Sequence, residues 1–307
     1  MSEVATTHRY LPAIVTVSVI ACFGLGYVGY SSTLPSGTRM HLINSESALM
    51  KLPVSPKEWA EARASQMFKA WETAERMSPS EAATVGMIDV YSLFPETYSC
   101  DKNNFVRLGG DLDGAKWTCG EYFKPAPGNC VAVSLGSNGQ WQFEETILGH
   151  TKNDCTVYTF DCTGTWTPPH ANIKFFPWCL GSDKIIDGRI YKTWDSITKD
   201  LGLTHVDYFK MDIEGFEWLA LPPALDNLAQ GGVLPKQIAL EMHFWPQADG
   251  VAKPYRAAST KNGMDWVHPM INLFRKFYSL GYHVGAAEYN HLSSPYGCCQ
   301  EFTFVLV

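Results

Sequence analysis

The sequence predicts an α/β fold with a mainly parallel sheet that is covered by helices on both faces. From residue 129 onward, short apolar runs alternate with segments of helical spacing, which is typical of parallel strands joined by helices. The last two apolar runs follow each other without an intervening helix, which favours an antiparallel edge pair. A long uncharged segment near the N-terminus predicts a transmembrane helix in front of this fold.

The individual strands and helices are predicted from apolar runs and from helical periodicity, in order along the chain. The expected strands are residues 130–135, 155–160, 172–176, 207–213, 237–243, 282–286 and 301–307. The expected helices are residues 58–77, 141–148, 194–201 and 266–280. The glycine-rich and acidic segment 97–122 is expected to be a loop, which a disulfide between Cys100 and Cys119 could close.

The first of these helices is amphipathic. Its N-terminus is predicted at Ser55-Pro56-Lys57-Glu58, which supplies a capping residue and a first turn. Its apolar stripe packs either on the folded body or on a partner, and packing on the body is the simpler expectation. The stripe recurs at alternating spacings of four and three residues and consists of Ala60, Ala64, Met67, Trp71 and Ala74.

Composition and charge exclude one large class of functions. The chain has 307 residues, which allows one large domain or two small ones. Its formal net charge is −7 and it has no dense cluster of lysines and arginines. Because nucleic acids are held mainly through positive surfaces, a DNA or RNA partner is not expected.

The N-terminal segment suggests how the protein is attached to a membrane. Residues 10–30 contain no charged side chain and are mostly apolar, and about 20 such residues can cross a bilayer as a helix. A cleaved signal peptide is the alternative. The expected organisation is a short tail at 1–9, the anchor at 10–30, a stem with the amphipathic helix at 31–80, and the folded domain at 81–307.

The cysteines bear on the compartment. Cys22 lies in the anchor and eight further cysteines follow it, an even number that favours disulfides in an oxidising lumen. Reduced, buried thiols are the alternative. The expected location is therefore the Golgi or endoplasmic reticulum membrane with the C-terminal domain in the lumen, or the exterior if the segment is cleaved.

The first group of residues with a chemical signature lies around the first predicted strand. The turn Gly136-Ser137-Asn138-Gly139 follows that strand, and Asp161 ends the next one. Glycines let a ligand approach the backbone, and a carboxylate at the second position can accept hydrogen bonds from both hydroxyls of a ribose. The arrangement favours an adenosyl cofactor, whereas the NAD fingerprint and the P-loop are both missing from the sequence.

The second group lies at the ends of two later strands. Asp212 and Glu214 follow the strand at 207–213, and Glu241 and His243 end the strand at 237–243. If the strands are neighbours, the four side chains reach the same edge of the sheet. Such a cluster suits general-base catalysis or the binding of a divalent cation.

At these residues the sequence resembles a known family. Lys210-Met-Asp-Ile-Glu-Gly-Phe-Glu217 resembles the Lys-x-Asp-x-Glu-Gly-x-Glu signature of FkbM-type methyltransferases. The turn Ser134-Leu-Gly-Ser-Asn-Gly139, the acid Asp161 and the strand Ile238-Ala-Leu-Glu-Met-His243 agree with it in spacing. The block Asp113-Gly-Ala-Lys-Trp-Thr-Cys119, together with the anchor, resembles a metazoan-type, membrane-anchored branch of methyltransferase-like proteins.

The resemblance implies a Rossmann-like class I methyltransferase that uses S-adenosylmethionine, with a sugar or another small hydroxylated molecule as the acceptor. It implies that Asp212 and Glu214 face the acceptor or the methionine end of the cofactor, and that Glu241 or His243 takes a proton from the acceptor hydroxyl. It also implies that residues 134–139 and Asp161 bind the cofactor, through Ser134, Gly136, Ser137, Asn138, Gly139 and Asp161.

One position departs from the family pattern. The methyltransferase turn usually begins with an acid, and here that position is Ser134, so Glu144 and Glu145 in the following helix become candidates to replace it. The departure leaves a catalytically inactive interaction domain as the alternative function. A Golgi-type glycosyltransferase is a third possibility, because Asp111-Leu-Asp113 has the spelling of a metal-binding Asp-x-Asp motif.

Overall fold

A seven-stranded sheet with helices packed against it forms the centre of the structure. The computed structural model describes residues 55–82, 84–85, 87–111, 114–120, 123, 128–244, 264–290 and 299–307. The predicted anchor at residues 10–30 lies outside these ranges. Within them, every helix is too short or too polar to cross a membrane.

The strands and helices are numbered in chain order. The strands are β1 (Phe105–Leu108), β2 (Lys116–Cys119), β3 (Cys130–Leu135), β4 (Cys155–Phe160), β5 (Ile173–Phe176), β6 (Trp178–Leu180), β7 (Lys184–Ile186), β8 (Arg189–Lys192), β9 (Tyr208–Met211), β10 (Gln237–His243), β11 (Tyr282–Tyr289) and β12 (Cys299–Leu306). The helices are α1 (Pro56–Glu75), α2 (Pro79–Ala82), α3 (Met87–Ser92), α4 (Gln142–His150), α5 (Trp194–Asp200), α6 (Glu217–Ala229) and α7 (Met264–Ser279).

The order of strands in the main sheet is β11-β12-β10-β9-β3-β4-β5. The predicted α/β fold with a mainly parallel sheet is confirmed, since β12 alone among the described strands of this sheet runs against its neighbours. The two C-terminal strands pair antiparallel at the edge, but β12 lies inside β11 and pairs with β10 as well. The chain builds outward from β3 in both directions, so a topological switch point lies between β3 and β9, where open α/β sheets bind ligands.

The predicted loop at residues 97–122 is wrong in part, because it contains an antiparallel hairpin of β1 and β2. Each strand has only four residues, and the glycine-rich turn between them hides their pattern in the sequence. The hairpin is covalently fixed by the Cys100–Cys119 disulfide, as predicted. The turn contains Asp111, whereas positions 112 and 113 of the Asp-x-Asp spelling lie outside the described residues.

The amphipathic helix α1 packs on the folded body. Ser55 and Glu58 form the predicted capping box at its start. The indole of Trp71 is fully buried, donates a hydrogen bond to the Leu93 carbonyl at 2.7 Å, and packs against Phe274 of α7. The folded body therefore includes α1, which the sequence analysis assigned to a stem ending at residue 80.

Disulfides link two strands of the main sheet to each other and the segment after β4 to the small sheet. Cys130–Cys155 joins the first residues of β3 and β4, and Cys162–Cys179 joins the segment after β4 to β6. Cys299 is disulfide-bonded as well. The predicted disulfides are thus present, and the alternative of reduced thiols fails for these cysteines.

A small second sheet was not predicted. It has the order β6-β8-β7 and lies between β5 and α5 in the sequence. Its strands have three or four residues and are partly exposed, so they lack the long apolar runs by which buried strands are recognised. This sheet contributes part of the wall of the cavity described next.

Candidate active site

A cavity of about 510 Å³ opens at the carboxyl ends of β3, β4 and β9. Its volume lies within the range of small-molecule sites, which is roughly 300–1,000 Å³. It is lined by the turn after β3, the start of α4, the turn before α6, the β1–β2 turn and the small sheet. The predicted ligand edge of the sheet is therefore a real concave site.

The turn after β3 is pressed against the end of β9. Gly136 has φ +80°, and a Cβ added there would lie 1.7 Å from the carbonyl oxygen of Asp212, so only glycine fits. Lys210 Nζ donates a hydrogen bond to the carbonyl of Gly136 at 2.6 Å. Asn138 and Gly139 also have positive φ values, 47° and 70°. Contacts within the chain thus fix the turn to the end of β9.

Asp161 anchors this turn from the end of β4. Its Oδ2 accepts hydrogen bonds from the amides of Ser137 and Asn138, at 3.1 and 2.7 Å. Its Oδ1 accepts from the amide and the hydroxyl of Thr163, at 2.9 and 2.7 Å. The carboxylate also lines the cavity. It therefore shapes the turn and faces the space where a ligand would bind.

Two acids of α4 had been candidates to replace the acid missing at Ser134, and the structure separates them. Ser134 is buried in β3 and is not among the described residues that line the cavity. Glu144 is 1% exposed, lines the cavity, and accepts a hydrogen bond from Thr159 Oγ1 at 3.3 Å. Glu145 is exposed. Burial raises the pKa of Glu144, and the positive charge of Lys210 partly opposes that effect.

The signature residues build the turn between β9 and α6. Glu214 has φ 57° and Gly215 φ 93°, a left-handed pair that Glu217 holds in place. Glu217 is fully buried, and its carboxylate accepts hydrogen bonds from the amides of Ile213 and Gly215, at 2.8 and 2.9 Å. Asp212 and Glu214, which lie on either side of Ile213, line the cavity.

Behind Asp212 lies a buried ionic cluster, defined here as Lys116, Asp212, Glu241 and Glu301. Lys116 is 1% exposed, and its Nζ lies 2.8 Å from Glu301, 3.3 Å from Asp212 and 3.5 Å from Glu241. Glu241 and Glu301 are directly opposite each other on β10 and β12, where like charges repel. The lysine from the β1–β2 hairpin therefore joins β10 and β12 to the residue that follows β9.

The members of the ionic cluster shift each other's ionisation. Burial alone would lower the pKa of Lys116, but Glu301, Asp212 and Glu241 together raise it. Burial would raise the pKa of Asp212, but Lys116, Lys210 and His243 outweigh it and hold that pKa well below its ordinary value. Burial raises the pKa of Glu301 well above normal and also raises that of Glu241.

His243 is buried beside this cluster. Its Nδ1 lies 3.2 Å from Glu217 Oε1, and its Nε2 lies 3.7 Å from Glu214 and 4.0 Å from Asp212. Burial would lower its pKa, but Glu217, Asp212 and Glu241 raise it to about 10. A pKa raised in this way favours the imidazolium form at neutral pH, and an imidazolium cannot accept a proton.

The same side chains have the spacing of a cation site. Asp212, Glu214 and His243 each offer one possible ligand atom, and these three atoms lie within 4.8 Å of one another. Glu241, His243 and Cys299 form a similar group, but the sulfur of Cys299 is committed to a disulfide. The ammonium of Lys116 already gives Asp212 a positive neighbour at 3.3 Å.

Comparison with protein families identifies the domain. Residues 46–304, most of the chain, match the family described as a methyltransferase domain. The chain belongs to this methyltransferase family. A search of curated proteins gave no match.

Solved structures similar to this methyltransferase domain include other methyltransferases. Methyltransferase FkbM from Methylobacillus flagellatus is 14% identical with a TM-score of 0.39, over 81% of this chain and 62% of that one. A 16S rRNA (adenine(1408)-N(1))-methyltransferase from Catenulisporales acidiphilia is 13% identical with a TM-score of 0.36, over 66% and 98%. The N-methyltransferase NodS from Bradyrhizobium japonicum is 11% identical with a TM-score of 0.32, over 58% and 85%. Because these TM-scores are low, the family match alone carries the assignment.

The structure brings most of the predicted site residues of this methyltransferase domain together. Six of them line the cavity: Gly136, Ser137, Asn138, Asp161, Asp212 and Glu214. Glu241 and His243 are 3% exposed and lie behind Asp212, outside the described lining. Gly139 packs against the ring of Trp166, and Ser134 is fully buried in β3.

Four residues of the site were not predicted as functional. Lys210 and Glu217 belong to the quoted signature, whose charged positions could have pointed to them. Lys116 lies in the block that resembles the membrane-anchored branch, which was the available signal. Glu301 lies in a predicted strand, and a buried acid inside an apolar strand is itself unusual.

Proposed function

We propose that this protein is an S-adenosylmethionine-dependent methyltransferase of the FkbM type that methylates an oxygen of a sugar or a small hydroxylated metabolite. The supporting observation is the cavity, which brings the turn after β3 and Asp161 next to Asp212 and Glu214 of the signature. Its membership of a methyltransferase family supports the reaction class. The acceptor class rests on the resemblance of the signature.

The cofactor half of the proposal uses the turn after β3. The adenosine would lie over Gly136–Gly139, where the backbone can be approached closely. A ribose hydroxyl would take the position of the Thr163 hydroxyl on Asp161 Oδ1, because that hydroxyl can rotate away while the three amide donors are fixed by the backbone. S-adenosylmethionine supplies the methyl group as part of a sulfonium when it is bound.

The acceptor half uses Asp212 and Glu214. Both carboxylates line the cavity, and Asp212 stays ionised because Lys116, Lys210 and His243 lower its pKa. An ionised carboxylate can accept a hydrogen bond from the acceptor hydroxyl and receive its proton as the new carbon–oxygen bond forms. Glu241 and His243 would act from behind, by keeping Asp212 in its charge state and position.

Calorimetric titration of the full chain with S-adenosylmethionine tests the cofactor half. We expect saturable binding, which Asp161→Ala abolishes because the turn loses its anchor and the ribose loses its acceptor. Asp226→Ala is the matched control, since Asp226 pairs with Lys276 on the surface, away from the described lining. A folded chain that binds no S-adenosylmethionine would refute the enzyme reading and leave the inactive interaction domain.

We also propose that residues 10–30 anchor the protein in a membrane of the secretory pathway with the folded domain in the lumen. The disulfides support this location, because they persist in oxidising compartments. Protease treatment of intact microsomes from expressing cells is the test. The domain should be protected until detergent is added, and digestion without detergent would contradict the lumenal orientation.

A further inference from the structure

One carboxyl group that lines the cavity, that of Glu144, has a buried oxygen without a full hydrogen bond. Glu144 projects from the first turn of α4 and is 1% exposed. Its Oε1 accepts a hydrogen bond from Thr159, whereas its Oε2 is buried and makes no hydrogen bond of good geometry in the described part of the chain. The hydroxyl of Ser134 lies near enough to the carboxylate to lower its pKa slightly, against the larger effect of burial. A buried carboxylate oxygen without a full hydrogen bond destabilises the folded chain. Because the side chain of Glu144 lines the cavity, a ligand bound there is a source of the missing donor.

Lys210, the lysine whose charge acts on Glu144, is already engaged. Lys210 exerts an electrostatic effect on Glu144, but its ammonium donates to the carbonyl of Gly136 at 2.6 Å and lies 3.8 Å from Asp212. No described residue lies within ion-pair distance of Glu144. The Glu144 side chain lines the cavity, so a positively charged N–H donor of a ligand would pair with its free oxygen and would favour the ionised form that burial disfavours.

The position of Glu144 corresponds to the acid that β3 lacks. Ser134 pairs in register with Thr159 of β4 on one side and with Lys210 of β9 on the other. The hydrogen bond from Thr159 places the Glu144 carboxylate over this row of three residues. The acid therefore comes from the helix rather than from the strand, and it lies beside Ser134.

We propose that Glu144 binds the ammonium group at the amino-acid end of S-adenosylmethionine. The inference rests on the proposed cofactor. An ammonium has three N–H donors and a full positive charge, and the Oε2 atom of Glu144 is the buried acceptor that fits it. Glu144 is then the residue that distinguishes a complete cofactor from an adenosine compound without the amino-acid end.

Three ligands isolate this contact in calorimetric titrations of the full chain. S-adenosylhomocysteine carries the amino-acid end, its desamino analogue lacks only the ammonium, and 5′-methylthioadenosine lacks the whole amino-acid end. The wild type should bind S-adenosylhomocysteine about 10- to 100-fold more tightly than the desamino analogue, the range expected for a hydrogen bond to a charged group. Glu144→Gln should remove that preference and leave the affinity for 5′-methylthioadenosine unchanged.

Glu145→Gln is the matched control, because it makes the same chemical change at the next residue, which is exposed. It should behave as the wild type with all three ligands. An equal loss of affinity for S-adenosylhomocysteine and 5′-methylthioadenosine in Glu144→Gln would overturn the inference, since it would show a structural role only. Should that variant not fold, the wild type still decides: equal affinity for S-adenosylhomocysteine and its desamino analogue would also overturn the inference. Failure of the wild type to bind any of the three would instead overturn the proposed function, and this inference with it.

Discussion

Lys116→Met provides a quantitative test of the buried ionic cluster. The lysine is 1% exposed, and its ammonium lies within 3.5 Å of three carboxylates. Methionine preserves the length and the apolar character of the stem, so the change removes mainly the charge. Breaking a buried ion pair by removing one partner costs about 3–5 kcal/mol, because the other charge is left buried alone. We therefore expect a loss of about 3–5 kcal/mol in the free energy of unfolding.

The loss should depend on pH in a defined direction. Burial already raises the pKa values of Glu241 and Glu301. Their ionisation therefore lowers the free energy of unfolding as pH rises above the ordinary glutamate pKa of about 4.3. Lys116 opposes this effect, and its removal raises both pKa values further. Asp212, whose pKa is lowered, loses part of the stabilisation that it contributes above about pH 3.9. The difference between variant and wild type should thus be larger at pH 8 than at pH 5.5.

Urea unfolding followed by tryptophan fluorescence, with the disulfides intact, measures both quantities. Lys199→Met is the control, because Lys199 is 72% exposed and pairs with Asp195 one helical turn away. Exposed pairs contribute about 0.2–1 kcal/mol, so the control should lose little and show little dependence on pH. If Lys116→Met behaved like Lys199→Met, or if its loss were the same at both pH values, the assignment of Lys116 as the counter-ion would be refuted.

Two further predictions concern His243 and the disulfide beside the cavity. The pKa of about 10 predicts that the imidazole of His243 stays protonated between pH 6 and 9 in NMR titrations, and that its contribution to stability is complete below about pH 6.5 and is lost as pH rises through 10. Glu217→Gln should lower that pKa, and a midpoint near 6.5 in the wild type would contradict the interpretation. The double variant Cys162→Ser/Cys179→Ser should unfold with about 3 kcal/mol less free energy, from the entropy of a loop with a sequence separation of 17; unchanged urea unfolding would show that this bond does not stabilise the fold.

The central strands could be predicted because their burial dictates their composition. Strands β3, β4 and β10 begin and end at the predicted residues, since a strand covered on both faces is a continuous apolar run. The β1–β2 hairpin was missed for the opposite reason. Its strands are short, Lys116 and Thr118 are polar, and their burial depends on partners that lie 96 and 90 residues away in the chain.

The candidate site was predictable to the extent that it follows the backbone. The turn after β3 and the residues after β9 were located correctly, because glycines and carboxylates at strand ends mark positions along the chain. Side-chain direction was not predictable in the same way. Glu144 and Glu145 are adjacent in sequence, and only the packing of α4 against the sheet decides which one is buried.

The signature combines residues that hold the site with residues that face it. Lys210 donates a hydrogen bond to a backbone carbonyl in the turn after β3. Glu217 accepts hydrogen bonds from two backbone amides in the turn before α6. Asp212 and Glu214, which lie between these two residues, line the cavity. Because three neighbouring cations lower the pKa of Asp212, its carboxylate is a weak base. In the proposed reaction, the rate would then depend more on how well Asp212 aligns the acceptor oxygen than on how strongly it removes the proton.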